Sequence, residues 1–93
     1  MRVTVPCTVA RGMFSDERFV TVQLAAGRSA SAFVHKSHVI VDRDPEPSGE
    51  VPGKLFVSLV QRRAGSAIVD LPEPAIDAGQ RVEVPLASVS PHR

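Results

Sequence analysis

The chain has 93 residues, 43% of them apolar and 23% charged, with a formal net charge of +1. That length makes one domain, the balance excludes disorder over most of the chain, and no apolar run approaches the ~20 residues of a membrane helix. The single cysteine, Cys7, excludes an internal disulfide.

The N-terminus carries no basic segment followed by an apolar core and a small-residue cleavage site, so no signal peptide is expected and the cytoplasm is the default location. Period-two alternation then organises the chain. Side chains of a strand alternate faces, so each run has one dry and one wet side. The first run, Arg2 to Arg11, sets Val3, Val5, Cys7 and Val9 against Arg2, Thr4, Pro6 and Thr8. Pro6 removes a ladder donor, which predicts an edge strand or a bulge. Gly12 to Glu17 reads as a connection. A second strand is expected over about Arg18 to Ala25, followed by a turn at Ala26, Gly27 and Arg28. A third covers Ser31 to His35 and resumes at Val39 to Asp42, where three consecutive β-branched residues favour strand. A short helix over Ser29 to Lys36, capped by Ser29, is the alternative there.

Asp42 to Gly53 contains Pro45, Pro47 and Pro52 with Ser48, Gly49 and Gly53. That density excludes helix and central strand and predicts a mobile surface loop. A fourth strand, about Lys54 to Arg63, and a fifth, Ser66 to Leu71, meet at Ala64-Gly65, a hairpin signal. Pro72 and Pro74 stop the fifth. A sixth follows over about Gln80 to Ala87, with Pro85 placed in it as Pro6 is in the first, so both terminal strands are expected at edges or at a closing seam. The sum is an all-β fold, a small barrel or rolled antiparallel sheet of about six strands, SH3-like or OB-like, over residues 1–88, with a flexible tail over 89–93.

The face opposite the valines is not fully polar. Phe19, Phe33, Phe56 with Val60, and Ile68 fall on the opposite parity of four strands. Three readings are open: a curled sheet that half-buries both faces, an apolar patch for self-association or a protein partner, or a stacking platform for single-stranded nucleic acid. Arg18, Arg28, Lys36, Arg62 and Arg63 are the cations expected at its rim, in a mildly basic body set with acidic segments over 42–52 and 71–79.

Catalytic chemistry has little to work with. His35 and His38 face opposite sides of an extended strand and converge only across a turn, so a metal site is not expected. Cys7 lies among valines and reads as a small buried hydrophobe rather than a nucleophile. Ser15-Asp16-Glu17 reads as turn chemistry. Asp70, Glu73 and Asp77 fit no EF-hand spacing, and no phosphate loop or nucleophile elbow occurs. No cofactor is expected.

Gly12-Met13-Phe14 followed by Phe33-Val34-His35-Lys36-Ser37 resembles the S1-type OB domains of RNA-binding proteins, and Phe19 to Gly27 is similar to the strand and turn of a bacterial translation-initiation OB domain. The resemblance implies Phe14, Phe33 and His35 as RNA contacts, with Phe19 as the alternative aromatic. The gap between the two stretches is longer than in the S1 pattern, the Pro-rich segment replaces the expected helix, and a sixth strand is left over. The expected function is a non-catalytic interaction module. A protein partner or a second copy comes first, RNA or single-stranded DNA second, and a membrane is not among the expected partners.

Overall fold

A computed structural model describes residues 1–92; Arg93, the end of the expected tail, lies outside the described residues. The strands are β1 (Arg2–Arg11), β2 (Glu17–Gln23), β3 (Ser29–His35), β4 (Val39–Val41), β5 (Glu50–Arg63), β6 (Ser66–Ala75), β7 (Gly79–Pro85) and β8 (Ser90–Pro91). Three single 3₁₀ turns, at Ala25–Gly27, Lys36–His38 and Leu86–Ser88, are the helical elements among the described residues. Segment 29–35 is strand, not helix. Among the described residues no helix is long and apolar enough to cross a membrane.

The strands form one antiparallel sheet in the order β3-β2-β1-β5-β6-β7, with β4 also on β5 and β8 also on β1. The sheet curls until the Ile76 N–H, just past β6, donates to the Ser31 carbonyl of β3 at 2.8 Å. The result is an all-β half-barrel, the rolled antiparallel sheet that the alternation predicts.

Pro6 does not place β1 at an edge. β1 is central, paired with β5 from Arg2 to Ala10 and on its other side with β8 at Val3–Thr4 and β2 from Cys7 onward. The missing donor of Pro6 falls in the gap between β8 and β2, so no ladder bond is lost. Pro85 does sit on an edge, since β7 ends the sheet.

The interior is filled by the predicted dry faces. Eleven of its nineteen buried apolar residues are valine, and none is phenylalanine. β-branched side chains pack well on a pleated surface, and the small half-barrel has taken them in place of aromatic rings. Leu55 sits where three strands meet, opposite Val5 of β1 and Val39 of β4, with no exposure.

Residues 42–49 of the Pro-rich segment form the expected surface loop, but residues 50–53 begin the central strand β5, with Val51 and Pro52 paired to Val9 and Thr8 of β1. Pro45 is fully buried, and the Arg11 Nε–H donates to its carbonyl at 2.8 Å. Gly53 lets β4 approach: a Cβ there would lie 2.8 Å from the Ile40 carbonyl oxygen and 2.9 Å from Val41 Cγ1. Where a flexible tail is expected from residue 89, Ser90 and Pro91 pair with β1, and Val89 packs against the core.

Candidate interaction surface

A valine core leaves all four phenylalanines outside it, and they divide into two places. Phe19 and Phe33 are direct partners across β2 and β3, their ring centroids 4.9 Å apart and tilted by 55°. Ala10 of β1 continues the row beside Phe19. Phe14 joins them from the β1–β2 connection, which stands above this end of the sheet. Met13 is 83% exposed, Phe14 68% and Phe33 40%.

Glu17 fixes that connection. Its carboxylate accepts from the Met13 N–H at 2.8 Å, and its backbone carbonyl accepts from the Gly12 N–H at 3.0 Å. A Cβ on Gly12 would come within 2.6 Å of the Glu17 side chain, so the close approach requires glycine. The Asp16 carbonyl accepts from the Lys36 N–H at 2.7 Å, and its carboxylate lies 3.6 Å from His35 Nε2. Met13 and Phe14 are therefore presented on a loop tied to both β2 and the turn after β3.

Phe14, Phe33, His35, Asp16, Glu17 and Glu73 line one shallow hollow beside this loop. Three carboxylates border it. Of the cations expected at a rim, Lys36 lies at this end of β3 and is exposed. Arg18 instead shares the inward parity of Val20 and Val22; its guanidinium donates to the Ser15 and Glu17 carbonyls at 2.9 Å each and lies 3.5 Å from Asp44. Arg28 is at the opposite end of β2 and β3, beside Asp77 and Glu83. Arg62 and Arg63 are on the β5–β6 hairpin, with Arg63 4.0 Å from Glu83.

Phe56 is elsewhere. It pairs with Thr4, six residues along β1 from the Ala10 beside Phe19, a separation of roughly 20 Å. The Arg2 guanidinium covers its ring at 3.8 Å, and the His92 ring meets it edge-on at 4.6 Å. Ile68 is half-buried between Gln61 and Glu83 on the β5–β6–β7 section. The Asp70–Arg81 pair lies next along that face, where hydrogen bonds from Arg81 at 2.8 and 3.0 Å hold the Asp70 carboxyl below its usual range. The expected single platform is thus two separate surfaces, and only the Phe19–Phe33 end carries freely exposed aromatic area. Sequence parity found Phe19 and Phe33. It passed over Met13, Asp16, Glu17 and Glu73, whose signal is two apolar side chains set in a polar connection outside any alternating run.

Cys7 lies inside the half-barrel, and burial pushes its thiol up to about 12. The neutral form is favoured in the fold, so its stability contribution is complete below the ordinary thiol value of about 8.5 and declines as pH rises toward 12. Iodoacetamide at pH 8 is expected to leave the native thiol unlabelled over hours and to label it fully in urea; fast native labelling would contradict the burial. Among the described residues no three His, Cys, Asp or Glu side chains converge as metal ligands do.

Compared with known protein families, curated proteins and solved structures, the chain matches no family model, no curated protein and no solved structure.

Proposed function

We propose that the chain is a non-catalytic interaction module that docks a protein partner through Phe14, Phe33 and Phe19. One observation carries the reading: large apolar side chains are held exposed on a tied loop, inside a border of carboxylates. Exposed apolar groups with fixed geometry lose little further freedom on binding, which is how a small contact yields affinity. The border of Asp16, Glu17 and Glu73 favours a partner whose apolar contact residues are flanked by Lys or Arg. The same border repels the phosphates of RNA or DNA, and the cover of Arg2 over Phe56 occupies the other aromatic face. A buried, unreactive thiol suits a cytoplasmic setting, the location we assign.

The test uses an octapeptide of alternating lysine and valine and a twelve-residue oligothymidylate as probes at low salt. The peptide is expected to bind and the oligonucleotide not to. Phe14→Ala with Phe33→Ala is expected to weaken the peptide by at least ~30-fold, about 2 kcal/mol, while Phe56→Ala leaves it unchanged. Oligonucleotide binding stronger than peptide binding, or equal loss in Phe56→Ala, would overturn the reading.

A further inference from the structure

A second hollow shares Phe14 with the first, and its charge is opposite. Arg11, Met13, Phe14, Arg18 and Asp44 line it. Arg11 of β1 and Arg18 of β2 are direct cross-strand partners, next in line after the inward pairs Cys7 with Val22 and Val9 with Val20. The valine rows of the interior therefore end in two facing guanidinium groups. Like charges directly opposite one another destabilise a sheet. Asp44 answers one of them, its largely exposed carboxylate lying 3.5 Å from Arg18 Nη2. The nearby Glu17 carboxylate is spent on the Met13 N–H. One positive charge is left over.

Hydrogen-bond donors are left over as well. Arg18, only 9% exposed, donates from Nη1 to the Ser15 and Glu17 carbonyls, and its Nη2 faces Asp44 from beyond good hydrogen-bond distance. Arg11 spends its Nε–H on the Pro45 carbonyl, which anchors the guanidinium and leaves its Nη groups without a protein acceptor among the described residues. Two anchored guanidinium groups with spare N–H bonds form a fork that fits a carboxylate.

We infer that Arg11 and Arg18 bind the C-terminal carboxylate of the docked partner segment, whose last apolar side chain lies on Met13 and Phe14. The inference rests on the docking surface proposed above and names where the bound segment ends. Asp16, Glu17 and Glu73 select against acidic side chains beside the apolar contacts. A basic segment still carries one carboxylate, at its terminus. That single negative charge matches the one unpaired guanidinium, whereas a phosphate dianion would exceed it beside Asp44.

The test is a double-mutant cycle across peptide and protein. The lysine–valine octapeptide, ending in valine, is made with a free terminal carboxylate and with a terminal amide. The parent is expected to bind the acid about tenfold more tightly than the amide. The amide carries the larger positive charge, so attraction to the carboxylate border alone would favour it instead. Arg11→Gln should bring the two peptides within about twofold of each other. Arg11→Lys keeps the charge but not the fork, and should keep only part of the preference. Arg62→Gln removes the same charge on the β5–β6 hairpin and should keep all of it. A glutamate–valine octapeptide with a terminal amide offers side-chain carboxylates only, and should bind the parent at least ~10-fold more weakly than the lysine–valine acid.

Equal binding of acid and amide by the parent, or an acid preference unchanged in Arg11→Gln, would overturn the carboxylate site. The docking surface would then stand if Phe14→Ala with Phe33→Ala still abolishes binding. Tighter binding of the amidated glutamate–valine peptide would give the arginines to side-chain carboxylates and overturn the terminal assignment. An acid preference that depends on Arg11, with affinity unchanged by Phe33→Ala, would remove the docking surface and leave the carboxylate site. No binding of any peptide to the parent would remove both.

Discussion

Leu55→Ala is expected to lower the free energy of unfolding by about 2–5 kcal/mol. A chain of 93 residues has a total of roughly 5–14 kcal/mol to lose. The upper end of the range is the expected one, because Leu55 is fully buried where β1, β4 and β5 meet. Its neighbours there are valines, whose stiff χ1 angles give them little ability to swing into a void. A urea titration should show the midpoint falling without a change in slope, and a melt should drop by roughly 10–25 °C. A loss under 1 kcal/mol would mean that β4 does not hold the position described.

Reversing the border charges has the largest expected effect on binding. Asp16→Lys with Glu73→Lys replaces two carboxylates by two ammonium groups beside Phe14 and Phe33. Both residues are exposed, and the one partner involved, His35, is an exposed contact at 3.6 Å, so folding is expected to survive within about 0.5 kcal/mol. The lysine–valine octapeptide should lose at least ~100-fold, the glutamate–valine peptide should gain, and the remaining salt dependence should reverse sign. An unchanged preference would show that the border plays no part in recognition.

The fold was legible wherever alternation ran unbroken. β1 occupies Arg2–Arg11 and the β5–β6 turn falls at Ala64-Gly65, as the pattern predicts. Proline misled in four places: Pro52 lies in the central strand β5, opposite Thr8 of β1, where a break is expected, and the other three each have a structural reason. Pro6 sits in a central strand because the gap between β2 and β8 absorbs its missing donor. β6 continues through Pro72 and Pro74 because its ladder to β7 is interrupted between Asp70 and Ala75. Pro45 is buried because Arg11 satisfies its carbonyl. In all three cases the deciding partner is distant in the chain, and no local window contains it.

The surface was half legible for a related reason. Parity says which side of a strand a residue takes, so Phe19, Phe33, Phe56 and Ile68 were all placed outward. It does not say how far apart they lie along the strands, and Phe56 ends beneath Arg2, far from Phe33. Nor does it say which cations turn inward: Arg18 follows the valine parity of its own strand and bonds to carbonyls. The bulge at Val60, between Leu59 and Gln61, likewise shifts the facing of Arg62 and Arg63 relative to the residues before it.

Titration of the ¹⁵N-labelled protein with the lysine–valine octapeptide, read as a map of amide shifts, tests the docking surface most directly. Shifts concentrated at Met13–Glu17, Phe33–His35 and Glu73 are the expected result. Shifts centred on Phe56, Ile68 and the Arg62–Arg63 hairpin, or none at any residue, would contradict it.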